Sequence, residues 1–190
     1  MVNKEKLWVK SLEFKIQQKK KEWLEFVDRI LGMGNVNNIM EIGCYNGGST
    51  ASLCQLTKNL ITVDILDPPL FGDRGFKFFE SNCSYTYIPG NSSLVGDTVK
   101  TIIGSQKLDV LFIDGNHTYE GCKKDFEIYE ICVKSGGIIA FHDIIDSEYH
   151  RKCSCNVSKF WQEIKSKYDS TEIYDSVQYP EWGGIGVLIK

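Results

Sequence analysis

No stretch of this chain is apolar for long enough to span a bilayer. The opening segment, MVNKEKLWVKSLEF, is charged throughout and lacks the apolar core of a secretory leader, so a cytoplasmic protein is expected. An excess of charge is also missing. Lys and Arg number 22 against 25 Asp and Glu, a net charge of -3. That gives no global attraction to nucleic acid or anionic membrane, and neither is expected as a partner; Lys19, Lys20 and Lys21 make only a short basic run. The cysteines form no even-numbered framework. Seven are scattered at 44, 54, 83, 122, 132, 153 and 155, which reads as reduced thiols rather than a disulfide scaffold. There is no internal repeat, no linker and no G-x-G-x-x-G turn. The 190 residues should form one globular unit, and a nicotinamide-dependent oxidoreductase is disfavoured.

What is present is an alternation of strands and helices. Residues 4–31 carry Trp8, Leu12 and Ile16, then Trp23, Phe26, Val27, Ile30 and Leu31, at helical spacing, stopped by Gly32 and Gly34. This helix, in one or two pieces, should pack on the core; capping the site or a homo-oligomer contact are the alternatives. After it the pattern predicts a strand in NIMEIG, a helix over 49–58, a strand in NLITVDI, a loop over 66–75 and a helix over 76–82. A strand in SYTYIPG, a helix in DTVKTIIGS, a strand in KLDVLFIDG and a helix over 119–134 follow. A fifth strand in SGGIIAFHD leads into an irregular stretch over 144–156 and a helix in VSKFWQEIKSKY. TEIYDS and GGIGVLIK close the chain with only a loop between them, so they should pair antiparallel. Continuous apolar strands between helices mean a mostly parallel sheet covered on both faces.

In such a sheet ligands sit at the carboxyl ends of the strands. Those ends carry Glu41, Gly43 and Cys44; Asp64; Gly90 to Ser93; Asp114 with His117; and His142 with Asp143. Two of the chain's three histidines are in this set. The glycines of EIGCYNGGST allow a sharp turn and close approach to a ligand, and the next helix offers free amides. Glu41 there would repel a phosphate and welcome an ammonium, which favours a zwitterionic cofactor such as S-adenosylmethionine over a dinucleotide. Glu41 as a plain acceptor in the turn is the alternative. Asp64 is suited to the two hydroxyls of a ribose, or to an Asx turn before Pro68. Asn91 and Ser92 could stand near an adenine, or simply be turn residues.

EIGCYNGGST, ITVDI, LDVLFIDGNHTYEGCKKDFEIY, SGGIIAFHDI and GGIGVLIK together resemble the class I S-adenosylmethionine-dependent methyltransferases. More narrowly they resemble the group of macrocin-type sugar O-methyltransferases and cephalosporin hydroxylase-like proteins. The resemblance covers roughly residues 36–190, with 1–35 left as an N-terminal helical cap of the same unit. It implies a Rossmann-like seven-stranded α/β sheet with its last strand antiparallel. It also implies that Glu41 and the loop Gly43–Gly48, with Cys44, Tyr45 and Gly47, and then Ser49, hold the methionine moiety. Asp64 would hold the ribose, and many members use a divalent metal. The expected acceptor is a small hydroxylated molecule such as a sugar.

Asp114, His142 and Asp143 end two strands that should be neighbours, and two carboxylates with an imidazole suit Mg²⁺, Mn²⁺ or Fe²⁺. Metal-dependent enzymes resembling catechol O-methyltransferase place acidic or amide ligands at these points. His142 departs from that pattern, and its role as ligand, base or outer positioning residue stays open. The catechol type has a basic residue three after the first metal Asp; here it is His117, a candidate general base beside Asp114. Either histidine could instead be structural. Cys153-x-Cys155 with His150 is too tight for a usual zinc knuckle, and is read as a loop over the substrate in which Tyr149, Arg151 and Lys152 help to choose it. Trp182, beside Pro180, either faces the site or packs. Two other functions compete: an iron oxygenase built on His117, His142 and one carboxylate, and a non-catalytic S-adenosylmethionine-binding protein.

Overall fold

Every residue of β4 (Leu108–Ile113) is buried, as a strand covered on both faces requires. It lies at the centre of a seven-stranded sheet in a computed structural model that describes residues 2–175 and 181–190. Pro180, and Ser176 at the end of TEIYDS, lie outside the described residues. The other strands are β1 (Asn38–Ile42), β2 (Asn59–Asp64), β3 (Ser84–Pro89), β5 (Val133–His142), β6 (Asp169–Ile173) and β7 (Ile185–Ile189). Their order is β3-β2-β1-β4-β5-β7-β6. β1 to β5 run parallel, while β7 is antiparallel to both β5 and β6. This is the expected Rossmann-like sheet with an antiparallel last strand.

Side-chain alternation divides the core into two layers. On one face α1 (Lys4–Glu13), α2 (Lys20–Gly32), α3 (Gly48–Leu53) and α4 (Gly72–Glu80) cover Ile39, Val110 and Phe112. On the other, α5 (Gly96–Ile103), α6 (Tyr119–Tyr129) and α8 (Val157–Ile164) cover Met40, Leu111 and Phe141. α2 shows why the N-terminal segment docks. Trp23, Phe26, Val27 and Ile30 form one stripe at helical spacing, and all are fully buried. The rings of Trp23, Phe26 and Phe112 interlock at centroid distances of 5.4 to 5.6 Å. Each contributes roughly 1.5–3 kcal/mol by burial, so the segment is integral to the core.

Several boundaries differ from those the pattern predicts. The helix expected over 49–58 ends at Leu53, where Gln55 and Leu56 close the last turn with tighter bonds to Ser52 and Leu53. α4 begins at Gly72, inside the expected loop, because the Phe71 ring folds onto Gly75 and packs with Phe79 at 5.0 Å. The helix expected to 134 ends at Tyr129 and, through a short 3-10 turn, yields to β5 at Val133, which is buried and pairs with Leu108. The irregular stretch 144–156 contains α7 (Glu148–Lys152), capped by the Ser147 hydroxyl accepting from the His150 amide at 3.1 Å. Among the described residues no helix is long and apolar enough to cross a membrane.

Candidate active site

β1 and β4 are neighbours, but the chain leaves them toward opposite edges of the sheet. A crevice opens where such connections diverge. Here it is a cavity of about 750 Å³ over the carboxyl ends of the strands. Two glycines make its floor possible. Gly43 has φ +85°, and a Cβ there would lie 2.1 Å from the Asp114 carbonyl oxygen, so the ends of β1 and β4 can close up only around glycine. A Cβ on Gly48 would lie 2.2 Å from the Ile16 Cα, so the connector between α1 and α2 rests directly on the start of α3. That connector brings Lys15, Gln17 and Gln18 into the cavity wall.

One end of the cavity is lined by Gly43, Cys44, Tyr45, Ser49 and Asp64, and further out by Asn91 and Ser92. Asp64 organises the turn: its Oδ2 accepts the Cys44 and Tyr45 amides, each at 2.8 Å, and its Oδ1 accepts the Leu66 amide at 3.0 Å. This locks Tyr45 at φ +45°, a left-handed conformation uncommon for an aromatic residue. The Ser92 hydroxyl donates to Asp125 Oδ1 at 2.6 Å, and the Tyr129 hydroxyl donates to the Ser92 carbonyl at 2.6 Å. Glu41 and Gly47 do not line the cavity. Glu41, paired with Phe112 in the sheet, points into the α2 layer, is fully buried and accepts from Thr50 Oγ1 at 2.6 Å. Among the described residues its Oε1 has no hydrogen-bond partner, and burial pushes its pKa up to about 8. A contact of Glu41 with a cofactor's amino group is therefore not what this side chain is placed for; strand alternation turns it behind the wall. Gly47 faces the rings of Phe71 and Phe79.

The opposite wall gathers the ionisable groups. His117 Nε2 lies 3.2 Å from Asp114 Oδ1, and its Nδ1 lies 3.5 Å from Asp143 Oδ2. His142 Nδ1 is 3.3 Å from Asp114 Oδ1 and 3.4 Å from Asp143 Oδ1. Asp143 itself has φ +64°, a strained position that turns its carboxylate back over the strand end. Burial alone would raise the pKa of Asp114, but His142 and His117 outweigh it and hold the carboxyl below the ordinary range. The same balance, with His142 and His150, holds Asp143 well below it. Burial opposes the charge on His142, yet Asp114, Asp143 and Glu22 raise its pKa well above the usual value. For His117 the bond to Asp114 is the largest influence and raises its pKa.

Three residues complete this wall: Glu22 and Gln18, which motif reading passed over, and His150, which it weighed only as a partner of Cys153 and Cys155. Glu22, wholly buried on α2, meets His142 Nε2 at 3.1 Å and accepts the Gly184 amide at 2.8 Å. Gln18 donates to Asp114 Oδ2 at 2.6 Å. His150 sets its Nε2 3.2 Å from Asp143 Oδ1, so all three histidines of the chain meet this pair of aspartates. The only sequence signal was the scarcity of histidine; Glu22 and Gln18 look like ordinary helix-surface residues. Tyr149 lines the cavity as expected; Trp182, for which packing was the other reading, lines it too, and the Lys19 ammonium lies 4.7 Å from its ring centroid. Arg151 and Lys152 instead pair on the surface with Asp146 and Glu148. Cys153 is exposed and joins no metal-binding group with Cys155 and His150.

Among the described residues two donor sets converge within 4.8 Å: Asp114, His142 and Asp143; and His117, Asp143 and Cys155. Neither brings His117 and His142 to one ion, which is what an iron oxygenase of the expected kind requires.

The sequence profile of the Methyltransferase domain family matches residues 40–144, from β1 to the end of β5. The chain is 28% identical over 137 residues to uncharacterized protein R132 of Acanthamoeba polyphaga mimivirus, covering 67% of this chain and 60% of that protein. It therefore spans under two thirds of that relative's length. Its fold is similar to an O-methyltransferase from Bacillus cereus solved with S-adenosylhomocysteine, with TM-score 0.68, 15% identity and coverage of 98% and 90% of the two chains. It is likewise similar to the O-methyltransferase TomG from Streptomyces achromogenes solved with S-adenosylmethionine, with TM-score 0.68, 16% identity and coverage of 98% and 89%. The N-methyltransferase NodS from Bradyrhizobium japonicum shares the fold at TM-score 0.67 and 13% identity, covering 88% of this chain and 93% of its own. With the profile spanning the five parallel strands that form the crevice, the chain belongs to the methyltransferase domain family, the class I methyltransferases.

Proposed function

We propose that this protein transfers a methyl group from S-adenosylmethionine to a hydroxyl of a small acceptor, such as a sugar, with a divalent cation assisting. The observation that carries this is the opposition of two walls in one cavity. The glycine turn and Asp64 stand on one side; Asp114, His117, His142 and Asp143 stand on the other. The unused lone-pair capacity of Asp64 is the acceptor for ribose hydroxyls, since three backbone amides already orient it. Gly43, Cys44, Tyr45 and Ser49 shape the bed for the aminoacyl end, with Gly47 turning the chain and Glu41 supporting it from behind. Asn91 and Ser92 bound the adenine end.

Asp114, His142 and Asp143 fit a hard divalent ion such as Mg²⁺ or Mn²⁺. Their donor atoms converge, and Glu22 holds the far nitrogen of His142. A bound ion would supply Lewis acidity to the acceptor hydroxyl. Asp114 orients His117, and His117 removes the hydroxyl proton as the methyl group is transferred in line. Residues 1–35 act with 36–190 as one unit, because Gln18 and Glu22 close the site. Tyr149 and Trp182 border the acceptor space.

Calorimetric titration with S-adenosylhomocysteine in EDTA, then with Mn²⁺, tests the reading. Binding in EDTA and a separate Mn²⁺ heat, absent in Asp114→Ala, are expected. Absence of S-adenosylhomocysteine binding under either condition would reject it.

A further inference from the structure

The mechanism gives no task to a buried thiol in the cavity wall, that of Cys155. Its loop is pinned on both sides. The Cys155 amide donates to the His150 carbonyl at 2.8 Å, and the Asn156 amide donates to the His117 carbonyl at 2.7 Å. Ser154 between the two cysteines takes φ +59°: both border the cavity, but Cys153 is exposed while Cys155 is 5% exposed. The thiol thereby converges with His117 and Asp143, the donor atoms of all three lying within 4.8 Å of one another.

We propose that His117, Asp143 and Cys155 form a binding site for a thiophilic divalent ion of the Zn²⁺ type, separate in donor chemistry from the Asp114, His142 and Asp143 set. One sulfur, one imidazole nitrogen and one carboxylate oxygen are the ligands Zn²⁺ takes, with a fourth position open to the cavity. The neighbouring set has no sulfur and suits harder ions. Asp143 can serve both sets because its two oxygens are divided: Oδ2 faces His117 Nδ1, while Oδ1 faces His142 and His150. Asp114 stands behind the other nitrogen of His117 at 3.2 Å, as the outer carboxylate of a carboxylate–histidine–metal arrangement stands. Binding converts the Cys155 thiol to a thiolate and releases its proton to solvent. An occupied site also engages the imidazole of His117. On the methyl-transfer reading, Zn²⁺ is then an inhibitor that removes the base.

The site itself rests on the side-chain cluster and not on that reading. Co²⁺ serves as a spectroscopic stand-in for Zn²⁺, titrated into the full chain. One equivalent should give a thiolate-to-cobalt charge-transfer absorption that Zn²⁺ abolishes by displacement. Cys155→Ser should lose the band and Cys153→Ser should keep it. His117→Ala, on a half-exposed side chain, should weaken Co²⁺ binding by at least about tenfold. No band in the parent protein, a band surviving Cys155→Ser, or a band lost in Cys153→Ser would each overturn the proposal. S-adenosylhomocysteine titrations of the same samples keep the two readings apart. Cofactor binding without the cobalt band removes only this site, and the band without cofactor binding removes only the methyl-transfer reading.

Discussion

Replacing Glu22 with Ala perturbs the point where the N-terminal segment meets the histidine–aspartate wall. The carboxylate is fully buried and takes three partners: His142 Nε2 at 3.1 Å, the Gly184 amide at 2.8 Å and the Lys19 amide at 3.0 Å. Removing one member of a buried charged pair costs about 3–5 kcal/mol. His142 keeps Asp114 and Asp143 beside it, which places the loss at the lower end, about 3 kcal/mol. For a domain of this size that corresponds to a fall in Tm of roughly 6–12 °C. Glu22→Gln retains an acceptor for only one of the two amides, which donate to different oxygens, and should cost less than Glu22→Ala. Urea unfolding of the three proteins in EDTA provides the measurement. A loss below about 1 kcal/mol for Glu22→Ala would refute the argument, because it would mean that His142 carries no charge that needs this partner.

Glu41 ionises at its ordinary 4.5 when unfolded but only near 8 when buried, so its stabilising protonation is lost as pH rises across that window. Glu41→Gln should therefore flatten the fall in unfolding free energy between pH 4.5 and 8; an unchanged slope would show that the carboxyl is already ionised. In EDTA, the histidine–aspartate cluster adds a second trend. The raised pKa values of His117 and His142 give stability that is complete below 6.5 and lost as pH rises through their folded values. The lowered values of Asp114 and Asp143 give stability that is complete above 3.8 and lost as pH falls through theirs. Asp114→Asn should reduce both limbs in a pH series of urea melts. Gly48→Ala should push the Ile16 backbone off α3, costing about 1–3 kcal/mol and exposing the connector to limited proteolysis; a wild-type cleavage pattern would contradict the packing.

The alternation of strands and helices, the parallel character of the sheet and the carboxyl-end residues were legible in the sequence because each depends on local periodicity and chain order. Apolar runs such as Val110 to Ile113 need no partner to be recognised as buried. Asp64, Asp114, His117, His142 and Asp143 could be placed on one edge because parallel strands all end on the same side. Glu41 shows the limit of that argument. Standing at a strand end does not say which face a side chain takes, and the pleat turned this one into the α2 layer. Helix ends were displaced for a similar reason: the packing of Phe71 on Gly75 and the pairing of Val133 with Leu108 overrode local propensity. Glu22, Gln18, His150 and Cys155 were unreadable as a group. They come from the N-terminal connector, α2, α7 and the loop after it, and only tertiary packing brings them to Asp114, His142 and Asp143. Periodicity and chain order therefore determined the sheet and the residues at its carboxyl edge from the sequence alone. Which polar side chains share a charge, a proton or an ion was decided by the folded structure, because electrostatic coupling depends on separation in space and burial, not on separation along the chain.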